Sequence, residues 1–404
     1  MNSTLVSINR PESELLVTCA LVCEDPEREA RITALLQKGI DWTYLLWAAH
    51  RHGMTPLLYR HLDATCPEAV PRATMDQLRN HFQENARHNV MSTGQLIKLL
   101  DLFGAHEVPV IPYKGPTLAA FAYGNLALRE FIDLDVLVHK QDVPRAKELL
   151  ISLGYRRYDP ERDSVQELTR AQEDALLYFW KEYNYVHPDL GIMVELHWAI
   201  IERDYALRLD PEELWGRLKQ ISLGGRPVLT LSQEDLLLIL CIHGCHHLWE
   251  RLSWICDVAQ LIYGHNEEID WQQLLERASI LGSERMLFLG LFLGSDLLGA
   301  TLPKEVLQRV EADPAVKALA KQMRAWLFRE PGSPQPLFKD KIFQLRLRER
   351  LRDKILLCVH MVVTPSIADL TLLPLPRALI PLYYMLRPVR MIRTLGWRLL
   401  ERLT

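Results

Sequence analysis

The sequence predicts an α+β protein, in which a small core of mixed strands and helices is flanked by an N-terminal and a C-terminal helical region. Three observations predict it. Residues 1–97 carry apolar residues at helical spacing, as in REARITALLQKGIDWTYLLWAAHRHGM. Residues 98–205 alternate short apolar runs, turn residues and amphipathic stretches. Residues 206–404 return to helical periodicity, beginning with SQEDLLLILCIHGCHHLWERLSWICDVAQLIYGH. These three stretches are the expected domains.

The elements follow in order. The first helical pattern stops near Gly53, and MDQLRNHFQENARHNVMSTGQLIKLLDLFGAHE reads as one or two further helices running into the core. VPVIPYKG is a short strand and a turn. PTLAAFAYG is a helix with Pro116 in its first turn and Gly124 at its end. FIDLDVLV is a strand, and QDVPRAKELLISLGY an amphipathic helix ending at Gly154. ALLYFWKEYNYVHPDLGIMVELHWAI reads as two strands about an HPDLG turn. Ser232 is the expected N-cap of the long apolar helix that follows. A polar, Pro-rich break, REPGSPQPLFKD, interrupts the C-terminal region at 329–340.

Charge and cysteine usage narrow the class. The 47 Lys and Arg against 51 Asp and Glu give a net charge of −4, which argues against whole-chain affinity for nucleic acid. The seven cysteines (Cys19, Cys23, Cys66, Cys241, Cys245, Cys256 and Cys358) are odd in number and scattered, as expected of reduced thiols in a cytoplasmic protein. The N-terminus has no basic head followed by an apolar run, so no signal peptide is expected. No uncharged apolar stretch of about 18 residues occurs, so no stable membrane insertion is expected.

The chemistry concentrates around FIDLDVLV. Side chains at i and i+2 of a strand share a face, so Asp133 and Asp135 point the same way, with Leu137, while Ile132, Leu134, Val136 and Val138 form an apolar face suited to the core. Two carboxylates on a mostly buried strand repel each other and lose solvation. A divalent cation resolves that conflict, and Mg²⁺ favours a few carboxylates, waters and substrate phosphates. Glu195, in IMVELHW, supplies a third acid from a later strand. The alternatives are a solvated Asp-x-Asp at a strand edge, or one paired with Arg129. Lys114 and Gly115 occupy a strand-to-helix turn, where backbone N–H groups and the positive helix end favour an anion. Arg129, four residues before Asp133, is placed to reach the same anion. His197 shares the face of Glu195, either to orient it, to touch substrate or to pack as a structural histidine.

Together these motifs carry a resemblance. The stretch KGPTLAAFAYGNLALREFIDLDVLV, followed by AKELLISLGY and VELHW, resembles an uncharacterised bacterial nucleotidyltransferase family of the DNA polymerase beta superfamily. It is more distantly similar to the AbiEii-type toxin nucleotidyltransferases, whose turn is Lys-Gly-Gly-Thr. The resemblance covers about residues 98–200 closely and implies a small polymerase-beta-like core. It implies Mg²⁺-dependent transfer of NMP from an NTP such as ATP to a hydroxyl acceptor, with pyrophosphate released. Asp133 and Asp135 would hold two Mg²⁺ ions, and Glu195 the ion that activates the acceptor. Lys114, Gly115, Thr117 and Arg129 would bind the NTP phosphates. The superfamily's usual Gly-Gly or Gly-Ser turn is here Lys114-Gly115-Pro116-Thr117, and the third acid is Glu where Asp is common. The acceptor stays open among protein, peptide, RNA and small molecule. One alternative is a toxin-like or peptide-tailoring transferase acting on tRNA or on a protein or peptide side chain. Another is a non-catalytic helical interaction protein with a degenerate core.

Two further stretches are candidates for binding. His243 and His247, and likewise Cys241 and Cys245, are spaced i,i+4, as in some zinc sites and equally as in an apolar packed helix. A cleft-facing role for some of His243, His247, Arg251 and Asp257 is the other expectation. The C-terminal PRALIPLYYMLRPVRMIRTLGWRLLERLT has six arginines, no lysine and one acidic residue. It suits RNA or a membrane surface, or an amphipathic helix packed on the helical domain with its arginines solvated.

Overall fold

The computed structural model describes residues 10–22, 25–159, 163–165, 168–202, 205, 207, 209–329, 339–366, 369–370 and 373–390. The fold is mixed α+β. Before the first strand come α1 (Pro11–Thr18), α2 (Arg28–Leu36), α3 (Trp42–His52), α4 (Thr55–Thr65) and α5 (Arg72–Ala105). The strands are β1 (Val110–Pro112), β2 (Asp133–Val138), β3 (Arg156–Asp159), β4 (Ser164–Val165), β5 (Glu182–His187), β6 (Ile192–His197), β7 (Lys219–Leu223) and β8 (Arg226–Thr230). Between them lie α6 (Gly115–Tyr123), α7 (Val143–Ser152), α8 (Arg170–Phe179) and α9 (Glu212–Trp215). The chain continues through α10 (Gln233–His246), α11 (Leu252–His265), α12 (Trp271–Leu281), α13 (Glu284–Leu298), α14 (Lys304–Ala312), α15 (Pro314–Leu327), α16 (Lys339–Leu347) and α17 (Leu351–Val363). One sheet has six strands in the order β1-β2-β6-β5-β3-β4, and β7 and β8 form a separate hairpin.

The described residues fall into two compact units. The first is drawn from Met1–Leu100, Ile111–Leu134 and Arg217–Leu347. Its helices are set by caps and apolar stripes. The Asp41 side chain accepts from Tyr44 N at 3.0 Å to start α3, and Gly53, at φ 64°, ends it. Asp270 and Gly282 frame α12 in the same way. Helix α11 packs on α6, α10 and α13, and α6 packs on β7. The hairpin β7–β8 stands in a stretch where the sequence pattern suggested helix. Gly224 and Gly225 take φ of 58° and 79°, the two positive values that a two-residue turn between twisted strands requires. Thr230 Oγ1 donates to Pro112 O at 2.6 Å, fixing the end of β1.

Helix α5 holds the chain that leads into β2. Asn89 is fully buried, and its Nδ2 donates to Leu126 O at 2.7 Å and to Arg129 O at 2.8 Å. One turn earlier, Asn85 Nδ2 donates to Ala127 O at 3.0 Å. Two histidines, the buried His52 and the half-buried His61, also belong to this unit. His52 Nδ1 accepts from Leu252 N at 3.4 Å, and His61 Nε2 lies 2.9 Å from Leu21 O. Burial, reinforced by nearby arginines, lowers each to about 4 from its ordinary value of 6.5.

The second unit is drawn from Asp101–Val110, Asp135–Gly216 and Arg348–Thr404. Strands β5 and β6 are antiparallel, with Glu182 opposite His197 and Asn184 opposite Glu195. Gly191 N donates to His187 O at 2.8 Å to close the HPDLG turn. β3 pairs antiparallel with both β4 and β5. In β2 every residue from Leu134 to Val138 is buried. Leu134, Val136 and Val138 of the expected apolar face are enclosed, but Leu137, on the carboxylate face, is as enclosed as Val136, and Ile132 is corrected out of the apolar face: it lies before the strand, 67% exposed. Near the C-terminus, Phe179 meets the rings of Tyr383 and Tyr384, and Arg387 Nη1 lies 3.0 Å from Asp369 Oδ2, with Arg390 on the other carboxylate oxygen. The break at 330–338 and the tail from 391 onward lie outside the described residues.

Two predictions follow from this packing. Asn89→Ala removes the two hydrogen bonds that the fully buried amide donates to the Leu126 and Arg129 carbonyls and should destabilise the protein by about 1–3 kcal/mol, with a smaller loss for the half-buried Asn85→Ala. Denaturant melts giving equal losses would contradict the assigned role of Asn89. For the histidines, folded-state values below 6.5 mean that the unfolded chain binds more protons below that pH. Their contribution is thus complete above about pH 6.5 and declines as pH falls toward 4. Thermal midpoints measured from neutral pH downward should drop through that window, and His52→Gln should flatten the drop.

Candidate active site

Strands β2 and β6 are neighbours in the sheet, and the candidate site grows from that adjacency. Asp135 comes from β2, and Glu195 and His197 from alternate positions of β6. His197 Nε2 lies 3.4 Å from Asp135 Oδ1 and 3.2 Å from Glu195 Oε2. Its Nδ1 lies 3.0 Å from Glu182 Oε2, and Lys181 Nζ stands 2.5 Å from that same oxygen. The side chains of Asp135 and His197 are 2% and 1% exposed, while Glu195 is 23% exposed, so the group opens to solvent on the Glu195 side. Among the described residues, Asp135, Glu195 and His197 form the one set of three side chains able to share a metal ion, with ligand atoms all within 4.8 Å of one another.

Electrostatics dominate here. Burial opposes charge on His197, but Glu182, and then the close carboxylates of Asp135 and Glu195, outweigh it and push its pKa up to about 10. Burial likewise disfavours the charged form of Glu182, yet His197 and Lys181 hold its carboxyl well below the usual range. Lys181 is raised, because Glu182, Glu202 and Glu195 overcome its desolvation. Three carboxylates thus need positive charge.

A divalent cation fits this donor set. Metal–ligand bonds of about 2.1 Å separate adjacent donors by about 3.0–3.4 Å in octahedral or tetrahedral geometry. The Nε2–oxygen spacings of 3.2 and 3.4 Å fall in that range. Asp133, the first residue of β2, is half-buried two residues before Asp135.

The Lys-Gly turn has its own geometry. Lys114 is the N-cap of α6, and its Nζ lies 5.4 Å from the Tyr113 ring centroid. Gly115 adopts φ 51°, and a Cβ there would stand 2.8 Å from Asp133 O. Sequence reasoning gave this glycine the task of letting backbone approach phosphate; its observed close approach is to the first aspartate's own carbonyl. Thr117 is buried, and its Oγ1 donates to Lys114 O at 2.6 Å, closing the turn from inside.

Arg129 is paired away from the two aspartates. Its Nε and Nη2 reach Asp257 Oδ1 and Oδ2 at 2.8 and 3.0 Å, and Tyr123 Oη donates to the same Oδ1 at 2.7 Å. Asp257 is 1% exposed, so this α11 carboxylate is enclosed by its partners rather than lining a cleft. Cys241 and Cys245 are buried, and burial raises the Cys241 thiol well above its ordinary value, as in a packed apolar helix. The rings of His243 and His247 lie 4.6 Å apart, each within 5.5 Å of the Trp254 ring.

Glu182 escaped sequence reasoning altogether, and His197 entered it only as an accessory. The signal was present. Counting back from the closing pair His187–Ile192 of the HPDLG hairpin sets Glu182 directly opposite His197.

Comparison with known proteins gives one finding. Residues 38–299, well over half of the chain, match the model of a family described as an uncharacterised nucleotidyltransferase. No curated protein and no solved structure matches the chain. The match spans β2, β5, β6 and the Lys-Gly turn, and the chain belongs to this nucleotidyltransferase family.

Proposed function

We propose that the protein is a Mg²⁺-dependent nucleotidyltransferase with a polymerase-beta-like core, moving NMP from an NTP to a hydroxyl acceptor. The observation that carries this reading is the convergence of Asp135 and Glu195 from adjacent strands, in a chain of this family. The acceptor oxygen forms a bond to the α-phosphorus and gives up its hydroxyl proton to solvent, while the bond from that phosphorus to the α–β bridging oxygen breaks and pyrophosphate leaves with the electron pair. Asp133, Asp135 and Glu195 are the residues proposed to hold two Mg²⁺ ions. Such ions, when bound, supply Lewis-acid stabilisation of the charge developing on the phosphoryl oxygens.

The chain's own groups supply the rest. Lys114 offers an ammonium from the N-terminus of α6, where the helix also favours an anion. Gly115 and Thr117 keep that turn in one shape. Arg129, oriented by Asp257, is proposed as a second cation for the phosphates. The acceptor is a hydroxyl of a protein, peptide, RNA or small molecule, and an α-labelled NTP incubated with lysate and Mg²⁺ would reveal which class takes the label.

Three predictions test the assignments. Asp135→Asn should lower NMP transfer by at least about 10²-fold while circular dichroism shows a folded protein. Normal transfer by this variant would sink the metal reading. Lys114→Ala should weaken NTP binding about ten- to hundredfold, against little effect from the exposed Lys140→Ala. Separately, Gly115→Ala should cost about 1–2 kcal/mol for the left-handed backbone, and more where its Cβ meets Asp133 O. An unchanged melting midpoint would show that the turn tolerates a side chain.

A further inference from the structure

We propose that His197 is a direct nitrogen ligand of the divalent cation held with Asp135 and Glu195, and that Glu182 is the carboxylate that orients it from behind. The proposal rests on the transferase reading, since the ion is one of the two that reaction requires. It departs from an all-carboxylate seat in adding an imidazole, a donor that suits first-row transition ions better than Mg²⁺.

Two features support it. The first is orientation. A metal-bound histidine characteristically turns its second ring nitrogen to a carboxylate, which fixes the tautomer and strengthens the ligand. Here Nδ1 faces Glu182 at 3.0 Å while Nε2 faces the two other acids. The second is register: Glu195 and His197 share one face of β6, and Glu182 sits opposite His197 on β5, so the hairpin itself aims the ring.

Mn²⁺ bound to the full-length protein provides the test, because its electron spin senses ¹⁴N in a directly bonded imidazole. Pulsed EPR of the wild-type protein should show ¹⁴N modulation, and His197→Ala should abolish it. Glu182→Gln should keep the modulation but weaken Mn²⁺ affinity about ten- to hundredfold. A purely structural role for Glu182 would lower the melting midpoint without moving that affinity, and this outcome would overturn its assigned role. Mn²⁺ whose binding is lost in Asp135→Asn but which shows no ¹⁴N modulation would overturn His197 ligation and leave the transferase reading standing. Asp135→Asn with undiminished Mn²⁺ binding, or a wild-type protein that binds none, would overturn both.

Discussion

The buried carboxylate of Asp135 is the constraint around which the site is organised. It projects from a strand buried along nearly its whole length, where an unpaired negative charge has no water to stabilise it. Its answer lies across the sheet in His197, which is itself held between Glu182 and Glu195. Lys181 completes the chain of alternating charge. Acids gathered this closely are stable only while something positive stands among them.

A second charged cluster does mechanical duty. The residues entering β2 are fixed by Asn85 and Asn89 from α5, and by the pairing of Arg129 with Asp257 and Tyr123. Leaving any member of a buried ion pair alone is far costlier than forming the pair is favourable. The helices around α11 thereby do more than wrap the core. They set where β2 begins, and with it the position of Asp133, whose carbonyl is in turn packed against Gly115.

Much of this was legible in the sequence, for identifiable reasons. Asp135 and Glu195 stand out because carboxylates interrupt apolar strand patterns, and the ends of α6 were marked by Pro116 and Gly124. The β7–β8 hairpin was missed although Gly224-Gly225 separates two alternating runs, because neighbouring helical periodicity dominated the reading. The partner of Arg129 was not legible, since Asp257 lies 128 residues away and only tertiary packing joins them. The enclosure of Leu137 was likewise hidden: alternation reports two faces, and not whether both are covered.

The β5–β6 hairpin has a further consequence, for the order in which the site comes together. Lys181, Glu182, Glu195 and His197 all lie on this one local element, whose closing turn needs no distant contact. Hairpins of this kind zip in about 1–10 μs, whereas pairings between remote segments wait on slower loop closure. These four groups, two basic and two acidic, can therefore meet as a self-compensated set before β2 docks. Asp135 is the late arrival, and its docking tips the balance toward negative charge, so that the acidic excess of the cluster appears only as the sheet closes.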